Sequence, residues 1–279
     1  MTLHKESSQS SMRVDDPKSL YEKAVTLLDS SAASPQAFGE GLELMTRSAD
    51  QGLANAQYSV GAGYLRGNNV TQDHQEAVKW FRLAAAQGHV QAQNSLGVSY
   101  SLGRGVGQDY REALKWYRRA ADQGYDVAQY NLGSVYENGL GVSQDFDEAV
   151  KWYRLAADRG YAVAQSALGC MYEEGLGVAQ DHREAVNWFR LAAGRGYEVA
   201  QYNLGIMYAD GFGVPQDYSE ALNWFRLAAD QGYAHAQAAL GTMYEDGHGV
   251  IQDHGEALKW VRLAAEQGYQ DAIDALKEL

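Results

Sequence analysis

The residues of this chain whose side chains could do chemistry are one cysteine, seven histidines and many carboxylates. His74, His182 and His254 occupy one position of a repeated pattern, and the other copies carry Tyr or Phe there. Exchange with aromatic residues indicates packing rather than metal ligation or catalysis. The chain also lacks the H-E-x-x-H, C-x-x-C and G-x-S-x-G motifs. The sequence therefore predicts no enzyme, no metal site and no cofactor.

The single thiol, Cys170, also belongs to a repeated position. The equivalent residues are Ala62, Val98, Ser134, Ile206 and Thr242. We therefore expect Cys170 to be a packed small side chain rather than a nucleophile. One cysteine excludes an internal disulfide framework and fits a reducing compartment.

Glycine pairs such as Gly139 and Gly141 could be taken for phosphate-binding loops. They follow a predicted helix rather than a strand, and they lack both the third glycine of the dinucleotide fingerprint and the lysine of a P-loop. The sequence therefore predicts structural turns at these glycines and no nucleotide cofactor.

The element that must position all of these residues is a repeat of 36 residues. Near-copies of the segment 145–160, DFDEAVKWYRLAADRG, begin at Asp73, Asp109, Asp145, Asp181, Asp217 and Asp253. A constant period of this size indicates a repeat array, in which each repeat contacts only its neighbours.

The segment 145–160 predicts one complete helix. Asp145 stands at the N-cap, and Glu148 three residues later completes the signature of a capping box. Apolar residues follow at helical spacing: Ala149, Trp152, Tyr153, Ala156 and Ala157. Gly160 stands where a residue with positive φ ends a helix. All six tryptophans share one position of this helix, which indicates a packing role: Trp80, Trp116, Trp152, Trp188, Trp224 and Trp260.

Each repeat also carries a first helix before the capped one. In the third copy Ala128, Leu132 and Tyr136 form its apolar stripe. A glycine stands in the middle of this helix six times: Gly61, Gly97, Gly133, Gly169, Gly205 and Gly241. A helical glycine costs roughly 1 kcal/mol relative to alanine. We therefore expect the two helices to approach closely at each glycine, where a Cβ would clash.

The repeats divide the chain into four predicted segments. Residues 1–16 are polar and predict a disordered tail. Residues 17–52 predict a degenerate N-terminal capping repeat, because Leu44 and Met45 replace the Trp and its neighbouring aromatic residue. Residues 53–268 contain six full repeats, and residues 269–279 predict a C-terminal capping helix. Terminal repeats of an array are expected to be atypical.

The formal net charge of −13 and the absence of a long apolar run limit the kinds of partner. Nucleic acids and anionic membranes need a basic protein surface, so neither is expected as the main partner. No run approaches the length of a membrane-spanning helix, and the N-terminus lacks the apolar segment of a secretory signal. These observations predict a cytoplasmic protein without membrane insertion.

The repeated pattern A-x-x-x-L-G-x-x-Y-x-x-G-x-G-V-x-x-D-x-x-E-A-x-x-W-[FY]-R-x-A-A-x-x-G resembles the Sel-1-like repeat, a relative of the tetratricopeptide repeat. The resemblance covers residues 53–268 strongly and 17–52 weakly. It implies an all-α fold, a right-handed αα superhelix (solenoid) of helix-turn-helix repeats whose first helices line the concave face. It also implies a bacterial adaptor or scaffold that binds other proteins, and not an enzyme.

Positions that vary between repeats should carry the specificity for a partner. On the expected concave face, tyrosines, asparagines and carboxylates predict a groove for a basic or amphipathic segment of another protein. The predicted partner-binding residues are Tyr58, Asn94, Tyr130, Asn131, Glu137, Glu173, Glu174, Tyr202, Asn203, Asp210, Glu245 and Asp246.

The main hypothesis is therefore a protein-binding adaptor for signalling, regulation or assembly, predicted to be a monomer. Two alternatives stay open. One is an immunity protein that neutralises a secreted toxin by direct binding, because some bacterial members of the family have this role. The other is a self-assembling structural array, although the atypical repeats at both ends argue against end-to-end stacking.

Overall fold

The computed structural model describes residues 16–29, 34–68 and 70–278, and these residues form fifteen α-helices and no strand. The predicted disordered tail, residues 1–16, lies outside the described residues except for Asp16. None of the described helices is long and apolar enough to cross a membrane.

The chain divides into two compact units, residues 1–125 and 126–279. The helices of the first unit are α1 (Pro17–Leu28), α2 (Pro35–Asp50), α3 (Ala54–Arg66), α4 (His74–Ala86), α5 (Val90–Leu102) and α6 (Tyr110–Asp122). The helices of the second unit are α7 (Asp126–Asn138), α8 (Phe146–Asp158), α9 (Ala162–Glu174), α10 (His182–Ala193), α11 (Glu198–Asp210), α12 (Tyr218–Asp230), α13 (Ala234–Asp246), α14 (His254–Glu266) and α15 (Gln270–Glu278).

Within each unit every helix packs against the helices before and after it in the chain. The predicted all-α architecture of helix-turn-helix repeats is confirmed. Helices α1 and α2 form a pair in the segment predicted as a degenerate repeat, and α15 follows the last full repeat.

The second helix of each repeat begins with the predicted aspartate cap. Asp73 Oδ1 accepts hydrogen bonds from the backbone N–H groups of Gln75 and Glu76, at 2.9 and 3.0 Å. A capping box also predicts that the glutamate accepts a hydrogen bond from the N–H of the cap residue. This part of the prediction is wrong, because the Asp73 N–H donates to the carbonyl oxygen of Tyr64 instead, at 3.0 Å. Glu76 instead forms an ion pair with Lys79, and three further repeats keep the same pair.

The helical glycines lie where the ring of the second helix touches the first helix. A Cβ on Gly133 would come 2.6 Å from the ring of Tyr153, and every full repeat has an equivalent clash. The expected close approach is therefore confirmed. The most deeply buried ring belongs to the residue after the tryptophan, such as Tyr153 or Phe189, whereas the tryptophans are only half-buried. Trp188 packs instead on the core that α8 and α9 form together.

Three repeated polar contacts fix the turns and the neighbouring repeats. The Nε2 group of Gln180 donates to the carbonyl oxygen of Glu173 at 2.8 Å, and six turns share this bond. Arg190 donates to the hydroxyl of Tyr208, eighteen residues later, at 2.8 Å. The buried Gln201 accepts from Gln231, thirty residues later, also at 2.8 Å. The uniform arginine position is therefore structural.

The second glycine of the turn lies against the preceding repeat at Gly105, Gly177, Gly213 and Gly249. Gly177 has a φ of +66°, and a Cβ there would overlap the carbonyl oxygen of Phe146. Phe212 lies in the equivalent turn of the next repeat and stacks on His182, with 5.2 Å between ring centroids. His182 therefore packs against an aromatic side chain, as the sequence predicts, whereas His254 at the equivalent position pairs with Glu245.

Candidate functional site

Charge is distributed unevenly along the repeats. Residues 54–125 carry eight Lys or Arg and five Asp or Glu, a formal charge of +3. Residues 126–269 carry nine Lys or Arg and twenty Asp or Glu, a formal charge of −11. The acidic character of the chain therefore comes mainly from the second unit, where the carboxylates predicted to bind a partner lie.

Four carboxylates of the second unit interact around Cys170, and we call them the acidic cluster: Glu137, Glu173, Glu174 and Asp210. Burial, together with the charges of Glu173, Glu174 and Glu137, raises the pKa of the Cys170 thiol to about 12. The charge of Asp210 in turn raises the pKa of the Glu173 carboxyl. A thiol with a raised pKa is a poor nucleophile, which agrees with the packing role predicted for Cys170.

The acidic cluster lies at the last turns of α7, α9 and α11. Burial raises the pKa of the Glu173 carboxyl, and the charges of Glu174 and Asp210 raise it further. A negative charge at a helix C-terminus is also disfavoured by the helix dipole. Glu173 therefore carries its negative charge under three unfavourable influences, and a bound cation would offset the repulsion and the effect of the helix dipole.

The members of the cluster differ in how free they are to bind. Glu137 accepts a hydrogen bond from the hydroxyl of Tyr153. For Glu173, Glu174 and Asp210, no Lys or Arg nitrogen of the described residues lies within the ion-pair distance of 4.0 Å. These three carboxylates are therefore available to a basic group from outside.

Tyrosines lie beside the acidic cluster. The ring of Tyr130 lies 5.5 Å from that of Tyr153 and 5.9 Å from that of Tyr161, and Glu137 contributes to raising the Tyr130 pKa. The ring of Tyr202 lies 5.5 Å from that of Tyr233. Tyr130 and Tyr202 are thus half-buried between repeats, and each packs against an unpredicted tyrosine.

The unpredicted tyrosines share one position, directly after the glycine that ends the second helix. In the second unit they are Tyr161, Tyr197, Tyr233 and Tyr269. Burial raises the pKa of Tyr197 to about 12, with contributions from Tyr130 and Tyr233. Tyr130, Tyr161, Tyr197, Tyr202 and Tyr233 form what we call the tyrosine cluster. The sequence does contain a signal for this cluster, because a tyrosine recurs at the same position of every repeat in the second unit. The position follows the glycine that ends a helix, so the sequence alone suggests a turn residue.

The remaining predicted residues of the second unit contact other side chains or are half-buried. Glu245 pairs with the His254 ring at 2.8 Å, and Asp246 lies 3.9 Å from that of His248. The amide nitrogen of Asn203 lies 3.8 Å from the Cys170 sulfur. Asn131 is half-buried.

Tyr58 and Asn94 lie in the first unit, away from the carboxylates in sequence. The Tyr58 ring stacks on that of His89, with 4.7 Å between centroids, and lies 5.9 Å from that of Phe81. Asn94 is half-buried. The structure therefore brings one subset of the predicted residues together, namely the acidic cluster with Tyr130, Asn203 and the tyrosines beside them.

A comparison with protein-family models matches the Sel1 repeat to residues 54–89, 90–125, 126–161, 162–197, 199–233 and 234–269. The chain belongs to the Sel1 repeat family. Proteins of this family are in general non-enzymatic scaffolds for protein interaction. A search of curated proteins gave no match. Within the described residues, no group of three or more His, Cys, Asp or Glu is placed to hold a metal ion.

Two solved structures resemble this Sel1 repeat chain over most of its length. A protective antigen of uropathogenic Escherichia coli strains, with an SLR fold, is 37% identical with a TM-score of 0.81. The match covers 92% of this chain and 55% of the antigen, so the chain spans about half of the antigen's length. A Sel1 repeat protein from Oxalobacter formigenes is 31% identical with a TM-score of 0.78, covering 87% of this chain and 96% of that protein.

A third structure shares the fold alone. It is an immunity protein from Pseudomonas aeruginosa, with 21% identity and a TM-score of 0.52, and the match covers 78% of this chain and 83% of that protein.

Proposed function

We propose that this Sel1 repeat protein is an adaptor that binds a basic, amphipathic segment of a partner protein through the acidic and tyrosine clusters. The proposal places the protein in the cytoplasm, where its single cysteine would stay reduced. The observation that carries it is the group of Glu173, Glu174 and Asp210, which lie together without a Lys or Arg ion-pair partner among the described residues, although the His182 ring acts on Glu173.

The chemistry of the two clusters favours an amphipathic ligand. The carboxylates would steer and pair with Lys or Arg side chains, and charge complementarity of this kind raises both the association rate and specificity. The tyrosines offer large, rigid, half-apolar surfaces of the type that dominates binding energy at protein interfaces. Tyrosine hydroxyl groups are protonated at neutral pH, so they are hydrogen-bond donors as well as acceptors.

The proposal is tested by selecting a random peptide library on the full chain. The same selection is run on a variant with Glu173→Gln, Glu174→Gln and Asp210→Asn, which keeps side-chain size and removes three charges. We expect the wild-type chain to enrich peptides that combine Lys or Arg with aromatic residues. We expect the variant to lose this enrichment, and the wild-type affinity to fall as salt is added.

A matched control removes three other charges from the same unit. Asp158, Asp230 and Glu266 are exposed residues of second helices, and they become Asn, Asn and Gln in the control. This control should select the same peptides as the wild-type chain. Equal enrichment by all three proteins, or binding that is indifferent to salt, would contradict the proposal. The natural partners distinguish two roles within the proposal: one tight, stoichiometric partner would favour an immunity protein, and several weaker partners would favour a scaffold.

A second candidate function is self-assembly, favoured by a stripe of exposed leucines on the second helices of the second unit. Leu155, Leu191, Leu227 and Leu263 are 48%, 52%, 49% and 37% exposed, and they share one position of the repeat. Light scattering over a concentration series tests this candidate. Growth of the particle mass with concentration, abolished by Leu191→Glu and Leu227→Glu, would support it; a constant monomer mass would exclude it.

A further inference from the structure

The first unit contains a cavity whose lining is basic, although the chain as a whole is strongly acidic. The cavity has a volume of about 590 Å³, within the range of small-ligand sites. Its lining residues are Leu65, Arg66, Gln72, His74, Ser95, Val98, Ser99 and Arg104. Two arginines, a histidine and two serines therefore face one space, and no carboxylate lines it.

Comparison of the repeats with one another shows how the cavity arises. Ser99 is buried at a position where the next repeat carries Val135 and the three after it carry Met171, Met207 and Met243, all of them buried. Serine is shorter than methionine, so it leaves space, and it brings a hydroxyl into that space. The Ser99 hydroxyl donates to the carbonyl oxygen of Ser95 at 2.8 Å, which leaves its lone pairs and the Ser95 hydroxyl facing a polar environment.

Arg104 also replaces a group that is apolar or aromatic in most later repeats. The equivalent residues are Leu140, Leu176, Phe212 and His248. Phe212 and His248 stack on the residue thirty positions earlier in the chain, at centroid distances of 5.2 and 4.5 Å. The residue thirty positions before Arg104 is His74. Where two later repeats close the space with stacked rings, this repeat places Arg104 and His74 in the lining of one cavity.

The polar groups around the cavity are short of partners. The guanidinium of Arg104 has no hydrogen bond or ion pair to any described residue, and the Nδ1 atom of His74 is buried without a hydrogen-bond partner. Arg66 makes one bond, from Nε to the carbonyl oxygen of Ala62 at 3.3 Å. Nearby carboxylates are occupied, since Asp73 caps α4 and Glu76 pairs with Lys79.

We propose that this cavity, which we call the oxyanion pocket, binds a phosphate or carboxylate group of a small ligand. Arg66 and Arg104 are exposed residues that both line this partly enclosed space, and guanidinium groups match the geometry and charge of an oxyanion. The serine hydroxyls and His74 supply further hydrogen-bonding groups. The pocket lies within residues 54–125, which carry a formal charge of +3, so it is chemically distinct from the acidic cluster and its occupation does not depend on the adaptor function.

Isothermal titration calorimetry of the full chain at constant ionic strength tests the oxyanion pocket. The probes are inorganic phosphate, N-acetyl-phosphoserine and N-acetylglutamate. Saturable binding of the two phosphate probes alone assigns a phosphate ligand, binding of N-acetylglutamate alone assigns a carboxylate, and binding of all three assigns a general oxyanion site. Saturable binding of none of them overturns the proposal.

The variants use residues that the chain already tolerates at the equivalent positions. Arg104→Leu removes a charge, and Ser99→Met fills the space without changing charge. Each should weaken binding by about tenfold or more, the effect of losing one charge-assisted hydrogen bond or the space for the ligand. Both should keep the thermal midpoint of the wild-type chain, because Leu and Met occupy these positions in other repeats.

A control variant, Arg111→Gln, removes an exposed positive charge from α6 of the same unit. It should bind the probes with the wild-type affinity. If Arg104→Leu binds as tightly as the wild-type chain, or if Arg111→Gln loses as much affinity as Arg104→Leu, the binding is not in the pocket and the proposal fails.

Discussion

The ring of Phe189 lies 2.5 Å from the point that a Cβ on Gly169 would occupy. Phe189 is completely buried, so its ring has no free space into which to move. The contact between these two residues sets the distance between α9 and α10 and explains why the repeat tolerates a glycine in the middle of a helix.

Gly169→Ala tests this contact between the helices. Alanine would recover about 1 kcal/mol of helix propensity, and overpacking of a buried ring costs about 1–3 kcal/mol. Because the overlap is severe, we expect a net loss of about 2 kcal/mol in the free energy of unfolding, measured by urea titration. Gly39→Ala is the control, since a Cβ at this position of α2 would have no atom within 4 Å. That variant should be more stable, and a stabilised Gly169→Ala would refute the explanation.

Arg195→Gln should stabilise the fold. In other repeats a glutamine at this position donates to a buried glutamine thirty residues earlier, as Gln231 does to Gln201 at 2.8 Å. Arg195 makes no such bond, and the Oε1 atom of Gln165 is buried without a partner. An unsatisfied buried acceptor costs about 1–3 kcal/mol, so we expect a gain of about 1 kcal/mol in the free energy of unfolding.

The matched loss is Gln231→Ala, which removes the existing bond and leaves the Gln201 acceptor unsatisfied. This variant should unfold at a lower urea concentration than the wild-type chain. Equal midpoints for Arg195→Gln and the wild-type chain would show that the orphaned acceptor of Gln165 carries no measurable cost.

Glu173→Gln should raise the thermal midpoint at neutral pH. Burial and the neighbouring carboxylates raise the folded-state pKa of Glu173 above 4.5, so ionisation is harder in the folded chain than in the unfolded chain. This penalty is absent at low pH, where both states are protonated, and grows as pH rises through the unfolded and then the folded pKa. Glutamine removes the penalty because it does not ionise.

The measurement is the difference in thermal midpoint between Glu173→Gln and the wild-type chain at pH ~7 and pH ~4. The difference should be positive at the higher pH and should shrink at the lower. Glu43→Gln, at an exposed site within α2, should show no such pH-dependent gain. A gain that is equal at both pH values would indicate a packing effect instead of a charge effect.

Cys170 should react with thiol reagents only when the chain unfolds. With a pKa of about 12, the thiolate fraction at pH ~8 is on the order of 10⁻⁴, and the thiol is also largely buried. We expect the rate of reaction with Ellman's reagent to rise by orders of magnitude in urea. Rapid reaction of the folded chain would contradict the assigned environment of the thiol.

The fold could be predicted from the sequence because its signals act locally and recur in every repeat. The Asp145 side chain can accept hydrogen bonds from the free N–H groups of the helical turn that follows it, whatever the rest of the fold. Gly160 can likewise take a positive φ in any context. The failure of the reciprocal capping box has a different cause. The N–H of the cap residue is used by a tyrosine carbonyl of the first helix, and only the tertiary structure brings that carbonyl near.

The candidate site could be predicted only in part, because availability depends on contacts between different helices. Glu137 and Glu173 occupy equivalent positions and look alike in sequence. Glu137 receives a hydrogen bond because its repeat carries Tyr153, whereas the repeat of Glu173 carries Phe189, which has no hydroxyl. The tyrosine cluster could not be predicted for a similar reason, since Tyr161 stands at a turn position and acquires its aromatic neighbours only after the repeats pack.

The fixed spacing of the contacts between repeats has a consequence for how such a gene can change. Arg190 bonds to a residue eighteen positions later, and Gln201 to one thirty positions later. Recombination that adds or removes a whole number of repeats restores both spacings at the new junction, whereas an insertion of any other length breaks them. The chain can therefore gain, lose or exchange binding surfaces by unequal crossing-over while every remaining interface is rebuilt unchanged.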